Sequence, residues 1–466
     1  MSGGRSVFEL RQAFDWLGSG RLIATDPGDA ALRITGVSTD TRAVRPGQLF
    51  VAIRGEHHDA HDFVGQAIQA GAAALLIERW TDACRAPALC VEDTRRALGE
   101  IAAGWRRRFK LPVIAVTGSN GKTTVKEMIA SILSAHFGEA ARLYTRGNLN
   151  NDIGVPITVF ELNADHRAAV IELGMNRPGE IAWLAQIAQA SVALVNNAQR
   201  EHQEFMHTVE ATARENGAAL AALPPDGIAV YPGDDPHAAL WRELAGARRV
   251  IDFGLSPECA VHASPDAQPQ SFTIRIGAQS LDARLAIDGP HNVRNALAAA
   301  ACCHAIGISA DSIERGLAAF RPAPGRLRRL QAESGAALID DSYNANPDSV
   351  RAAIEVLAAC PAPRLLVLGD MGEVGEQGPQ FHTEVGAFAR EKGIERLLTL
   401  GVASMATACA FGADAEHFDQ VEALADRARA LAGPASTVLV KGSRSMRMER
   451  VVQALAGVGQ TTGWHH

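Results

Sequence analysis

The sequence predicts an α/β protein of three domains, and three observations carry that prediction. Its 466 residues correspond to about three domains at roughly 150 residues each. Nearly continuous apolar runs at 113–117 (VIAVT), 168–173 (AAVIEL) and 192–197 (VALVNN) are separated by long helical stretches. Strands covered on both faces by crossover helices read this way. Two breaks divide the chain, a charged one at 105–110 (WRRRFK) and a Pro/Gly-rich one at 320–326 (FRPAPGR). The expected architecture is a small N-terminal α/β domain (1–110), a central doubly wound parallel-sheet domain (111–322) and a C-terminal Rossmann-like α/β domain (323–466).

Within the first domain, 49–53 (LFVAI) reads as a strand and 62–70 as a helix. Gly71 is placed to cap that helix, and 75–77 resumes as strand. The run Arg106–Arg107–Arg108 reads as a solvated linker face. Past the second break, 337–342, 364–370, 396–401 and 437–442 are strand candidates separated by helices. The sequence shows neither an internal repeat nor a low-complexity tract.

Composition narrows the function. Hydrophobic residues make up 47% and charged residues 21%, a globular balance. The formal charge is 45 − 52 = −7, which disfavours nucleic acid and anionic membranes as partners. Aromatics are only 5%, too few for single-strand stacking platforms. The seven cysteines (84, 90, 259, 302, 303, 360, 409) contain no C-x-x-C pair. They read as small buried hydrophobes in a reducing cytosol, so a cytoplasmic protein is expected. Residues 1–17 carry charges and no apolar signal core. The apolar stretches 295–310 and 397–413 fall short of a membrane span. They read as buried helix, or strand plus helix, and no integral membrane segment is expected.

The strongest motif is Thr117-Gly118-Ser119-Asn120-Gly121-Lys122-Thr123-Thr124, between a buried strand and a helix over 125–133. Glycines allow a backbone nest whose N–H groups surround phosphate oxygens, and the helix N-terminus adds positive potential. Lys122 can reach the β/γ-phosphates of a nucleotide, and the Thr123 hydroxyl can ligate Mg²⁺. Val116 stands where the general G-x-x-x-x-G-K-[ST] pattern has glycine. Glu172 ends a buried strand beside the loop, where a carboxylate can hold Mg²⁺; the plain alternative is a strand-end surface acid, which the motif context disfavours.

Taken with Gly147–Pro156, Glu172–Asn176, His291–Asn295, Gly325-Arg326, Asp340–Pro347, the run 368–373 (LGDMGE) and Ser38–Arg42, this loop resembles the Mur ligase family, and the likeness spans essentially the whole chain. Within the family the motifs are similar to the member that joins D-alanyl-D-alanine to UDP-N-acetylmuramoyl-tripeptide. The resemblance implies an ATP-dependent, Mg²⁺-requiring peptide ligase of peptidoglycan precursor synthesis, acting through an acyl phosphate. It also implies a UDP-substrate-binding first domain, a P-loop ATPase centre and a last domain completing the ATP and dipeptide sites. A monomer is expected. Another Mur-type ligase, a folylpolyglutamate synthetase and a P-loop switch protein are the competing readings.

The resemblance also assigns roles. His202 matches a metal-side histidine, joining Thr123 and Glu172. Asn295 contacts the adenine side, and Arg326 reaches the nucleotide phosphates. Asp341 and Tyr343 correspond to a ribose-binding acid and an adenine-stacking ring. Asn346-Pro347 also reads as a helix N-cap and first turn. Ser38, Asp40 and Arg42 resemble a uridine-nucleotide pocket, although alternating polar residues equally suit an exposed strand face. Asn148 and Asn150 are candidates for the muramoyl-peptide. Lys441 and Arg444 are candidates for the dipeptide carboxylate, or part of a plain surface turn. Three positions depart from the family pattern. Asn216 stands where a carbamylated lysine is usual, with Glu215, Asn216 or water left to fill its place. Tyr231 replaces the first residue of N-A-D-D, and Ala60 replaces a glycine.

Overall fold

The computed structural model describes residues 8–457 except 56 and 265. The start of the expected signal-free segment (1–7) and the end of the third expected domain (458–466) lie outside the described residues. The fold is α/β with mostly parallel sheets, and the chain divides into two compact units.

The first unit comprises Met1–Ala115, Ala140–Met175 and Gly179–Ser191. Its five-stranded sheet runs in the order Arg21–Ile23, Ala88–Cys90, Ala74–Ile77, Leu49–Val51, Val37–Ser38, and only the first pairing is antiparallel. Phe50, Val64, Leu75 and Ile77 pack one face of it. The expected helix begins as a 3-10 turn, Ala60–Phe63, and continues as Val64–Gln69. Gly71 follows at φ +102°, as a C-terminal cap requires. A second parallel pair, Arg142–Tyr144 with Ala168–Glu172, belongs to the same unit.

Residues 105–110 are not a solvated linker throughout. Helix Thr94–Arg106 runs into this segment, capped by Asp93, whose carboxylate accepts the Arg95 and Arg96 N–H groups. Trp105 and Arg106 are buried. The Arg106 guanidinium donates to the carbonyls of Ala188, Phe109, Leu111 and Gln189. A guanidinium enters a core when its donors are met there, whereas Arg107 and Arg108 stay exposed. Burial holds Arg106 below the usual guanidinium range.

The second unit comprises Val116–Glu139, Asn176–Pro178 and Val192–His466. Strands Val192–Val195, Ile228–Pro232, Arg249–Gly254 and Val261–His262 pair in parallel. An antiparallel pair that was not expected follows, Phe272–Ile276 and Gln279–Ala283. The alanine-rich stretch near 295 lies in the buried helix Pro290–Ala305, and 397–413 is strand Arg396–Leu400 plus helix Met405–Phe411. Of the cysteines, 84, 90, 259, 302 and 303 are buried, but Cys409 is exposed, contrary to expectation.

The same unit contains a six-stranded sheet ordered Arg328–Gln331, Ala337–Asp341, Thr437–Lys441, Arg364–Gly369, Arg396–Leu400, Ala415–Phe418. All pairings but the first are parallel. The last strand in sequence inserts between the second and third. Strand order therefore reverses there, the position at which open α/β sheets bind ligands beyond the strand C-termini. Leu338, Leu365, Val367, Val438 and Val440 form its core.

Candidate active site

Strand Val113–Thr117 is buried throughout and leads into helix Lys122–Phe137, which is longer than its sequence periodicity indicated. The turn between them needs glycine twice. Gly118 has φ +132° and Gly121 φ +78°. A Cβ on Gly121 would lie 2.6 Å from Asn295 Oδ1 and 2.8 Å from Asn196 Nδ2.

Side chains from neighbouring segments hold the loop. Thr117 Oγ1 donates to Leu194 O (2.9 Å), and Asn216 Oδ1 accepts the Gly118 N–H (2.9 Å). Asn197 Oδ1 accepts the Asn120 N–H (2.9 Å), while Asn196 Nδ2 donates to Asn120 O and to Asn295 Oδ1. The Gln199 N–H donates to Ser119 Oγ (2.9 Å). Asn295, buried, donates in turn to Asn292 Oδ1. The helix beyond supplies first-turn N–H groups that lack intrahelical acceptors, together with its dipole, which favour an anion.

Lys122 Nζ donates to Glu201 Oε1 (2.9 Å) and to the carbonyls of Gly118 and Ser119. His202, at φ +50°, lies between two carboxylates: Nδ1 is 2.6 Å from Glu373 Oε2, and Nε2 is 3.5 Å from Glu201 Oε1. Burial by itself would lower the imidazole pKa, but hydrogen bonds and charge from Glu201 and Glu373 raise it to about 9. Glu201 is pushed up by burial and pulled down further by Lys122 and His202.

The six-stranded sheet contributes the opposite wall. Arg326 Nη2 is 3.4 Å from Thr123 Oγ1, and its guanidinium lies 4.0 Å from the Tyr343 ring centroid. Segment 325–327 is anchored by acids at the end of strand Ala337–Asp341: Asp340 Oδ2 accepts the Gly325 N–H and Asp341 Oδ1 the Leu327 N–H. Burial raises the Asp340 pKa. Lys441 is buried and donates to Asp341 Oδ2 (2.6 Å) and Asn344 O (2.8 Å). Arg444 stacks more loosely on Tyr343, at 5.8 Å, and pairs with Glu449. Asn346 caps helix Pro347–Ala358 as read from sequence, accepting the Ser349 N–H.

Thus Lys122, Thr123, His202, Asn295, Arg326, Asp341, Tyr343, Lys441 and Arg444 occur together in one unit. The rest of the phosphate loop, Gly118–Thr124, lies with them, whereas Ser38, Asp40, Arg42, Asn148, Asn150 and Glu172 belong to the other unit. There, Glu172 is buried, and its Oε1 accepts from Asn150 Nδ2 (2.8 Å). Asn148 is exposed. Ser38 is buried at the end of a short strand and donates to Asp40 O; Asp40 caps the turn Thr41–Ala43 and pairs with the exposed Arg42 (2.7 Å). Sequence reasoning missed the loop-bracing roles of Asn196, Asn197 and Gln199, and the pairing of Glu373 with His202. The polar run following strand Val192–Val195 was the available signal.

Family models match along most of the chain: Mur ligase family, catalytic domain, at 33–106; Mur ligase middle domain at 116–303; and Mur ligase, glutamate ligase domain, at 325–444. The UDP-N-acetylmuramoyl-tripeptide–D-alanyl-D-alanine ligase of Escherichia coli (strain K12) is 44% identical over 436 residues, covering 91% of this chain and 94% of its own. A crystal structure of MurF from Acinetobacter baumannii superposes with a TM-score of 0.88 at 35% identity, covering 96% of this chain and 98% of that one. MurF ligase from Thermotoga maritima in complex with ADP gives 0.80 at 27% identity, covering 90% and 96%. With its phosphate loop, its bracing asparagines and Arg326, just ahead of the six-stranded sheet, on Thr123, the chain belongs to the Mur ligase family and is an ATP-dependent ligase.

Proposed function

We propose that this ligase joins D-alanyl-D-alanine to UDP-N-acetylmuramoyl-tripeptide, giving the pentapeptide precursor of peptidoglycan. The observation that carries the ATP half of this reading is Arg326 meeting Thr123 at the phosphate loop. The similarity to D-alanyl-D-alanine ligases over 91% of the chain supports the substrate half.

A carboxylate is a poor electrophile. A terminal carboxylate oxygen of the tripeptide attacks the γ-phosphorus of ATP, ADP leaves, and an acyl phosphate forms. The dipeptide amine then attacks the acyl carbon, the C–O bond breaks, inorganic phosphate leaves with the electron pair, and the amine sheds a proton. The protein's task is positioning and charge neutralisation, and good positioning supplies about 7–11 kcal/mol. Lys122 turns from Glu201 and the loop carbonyls to the β/γ-phosphates. Arg326 is a planar fork suited to the transferring phosphoryl group. Asn295, Asp341 and Tyr343 hold the nucleoside.

Mg²⁺ suits these residues. Glu201 Oε2 is buried without a hydrogen-bond partner among the described residues, and the Thr123 hydroxyl and Glu172 carboxylate are the hard oxygen donors this ion prefers. The family resemblance assigns Thr123, Glu172 and His202 to the ion; His202 would ligate it only after losing the proton that Glu201 and Glu373 hold on its ring, and the ion, when bound, would neutralise phosphate charge. Among the described residues no group of three or more His, Cys, Asp and Glu side chains is arranged to hold a metal ion. Phosphate oxygens and water would complete its shell.

Ser38, Asp40 and Arg42 are assigned to the uridine nucleotide, and Asn148 and Asn150 to the muramoyl-peptide. Lys441 is buried against Asp341, whereas Arg444, though paired with Glu449, keeps a half-exposed side chain, so Arg444 is the better cation for the dipeptide carboxylate. The three domains 1–110, 111–322 and 323–466 serve as substrate, ATPase and closing domains, supported by family matches that fall within them. Among the described residues no helix is long and apolar enough to cross a membrane. A cytoplasmic monomer is proposed.

The test is phosphate release from ATP. It should require both the UDP-muramoyl-tripeptide and D-alanyl-D-alanine, and Lys122→Ala should abolish it. Release without the peptide, or with glutamate replacing the dipeptide, rejects the reading.

A further inference from the structure

Arg200 lies in the run 197–202 that ends at His202, was given no role of its own, and pairs with two carboxylates beside the nucleotide site. Its backbone N–H donates to Asp348 Oδ2 (2.9 Å) and its Nε to Asp348 Oδ1 (3.0 Å). Its Nη1 and Nη2 donate to Glu384 at 2.8 and 3.2 Å. The guanidinium also stacks 5.1 Å from the Phe381 ring centroid. Arg351 shares Glu384 at 3.1 Å, so two cations meet two anions. Burial alone would lower the Arg200 pKa, but its hydrogen bonds to Asp348 and Glu384 push it above its ordinary value, while Arg200 lowers that of Glu384.

What surrounds Arg200 in sequence gives this pairing a purpose. The preceding residue, Gln199, is bonded to Ser119 of the phosphate loop. The following residue, Glu201, holds Lys122. Asp348 sits in the first turn of helix Pro347–Ala358, two residues beyond its cap, Asn346. Asn346 Nδ2 donates back to Asn120 Oδ1 (2.9 Å). The contacts close a ring: Ser119 to Gln199, Arg200 to Asp348, Asn346 to Asn120. Two ties, one charged and one amide, thus bind the phosphate loop to a helix of the six-stranded sheet, the sheet that delivers Arg326 to Thr123.

We propose that Arg200 is a positioning residue for the nucleotide, locking the phosphate loop to helix Pro347–Ala358 so that Lys122 and Arg326 address the same phosphates. It touches no reacting atom and acts through Asp348 and the loop. A point charge on a flexible stem cannot serve two carboxylates and a ring at once, so lysine replaces it only in part. The inference rests on the reading of this loop as the ATP site.

The experiment compares the full-length wild type with Arg200→Ala, Arg200→Lys, Asp348→Asn and the surface control Arg315→Ala, whose partner Asp311 lies one turn away on its own helix. ATP affinity by titration, KM for each substrate and kcat are measured on variants with a cooperative melt. In Arg200→Ala, KM and Kd for ATP should rise at least tenfold and kcat fall. KM for the muramoyl-tripeptide should stay within twofold. Arg200→Lys and Asp348→Asn should fall between, and Arg315→Ala should match wild type. If Arg200→Ala does not fold, the other two carry the test. ATP constants within twofold of wild type in the folded variants would overturn the proposal, as would equal shifts in KM for ATP and for the muramoyl-tripeptide. A wild type that neither binds nor turns over ATP would instead overturn the reading of the site itself.

Discussion

Asn120 and Asn346, 226 residues apart, exchange amide contacts: Asn346 Nδ2 donates to Asn120 Oδ1 at 2.9 Å, and Asn120 Nδ2 approaches Asn346 Oδ1 at 3.3 Å. One side chain therefore caps a helix and touches the phosphate loop. Serine preserves the first task and is too short for the second. Asn346→Ser should leave stability within about 0.5 kcal/mol in urea titrations, while ATP affinity drops several-fold. Unchanged affinity would show that the amide pair does not order the loop.

Asn216 fixes the start of that loop by accepting the Gly118 N–H in the interior. Asn216→Ala leaves a buried donor unmet and should cost about 1–3 kcal/mol. Asn216→Asp restores the acceptor and should recover most of the loss. Denaturant midpoints check this, and equal stability of all three proteins would contradict it.

The half-buried His291 adjoins Asp341 and Lys441. Burial lowers its pKa from 6.5 to about 4, with Lys441 lowering it further and Asp341 opposing. The unfolded chain therefore binds the extra proton between these values. Stability is full above pH 6.5 and is lost as pH falls toward 4. Relative to wild type, His291→Gln should flatten the stability–pH slope in that window and change little at pH 7.5. Parallel slopes in the two proteins would refute the assignment.

Arg106 should be structural. Arg106→Ala abandons four carbonyls, one buried and three partly buried, and should lose about 2–3 kcal/mol. Arg107→Ala and Arg108→Ala should each stay within about 0.5 kcal/mol. Chemical denaturation of the three variants separates them, and similar small losses in all three would restore the view of this run as a plain solvated face.

These residues also show how much of the molecule could be read in advance. The strand, turn and helix around Gly118–Thr124 were legible because their backbone demands are local: an apolar run, glycines where φ is positive, and Lys and Thr entering a helix. The cap at Asn346-Pro347 was legible for the same reason, its partner Ser349 being three residues away. Strands near 337, 364, 396 and 437 followed from hydrophobic runs alone. The antiparallel pair Phe272–Ile276 and Gln279–Ala283 was not read, because its alternating pattern is polar on one face and short.

By itself, then, the sequence determined the elements and the phosphate loop, since residue spacing governs hydrogen bonds that close within a few positions. Which distant side chains meet was decided only by tertiary structure. Strand Thr437–Lys441 slots between two strands that precede it, and this brings Lys441 onto Asp341, 100 residues away. The same packing takes Arg200 to Asp348 across 148 residues and turns Arg106 inward onto carbonyls. Charge and polarity announce that such groups need partners. Only the order of strands and the packing of helices say which partners arrive.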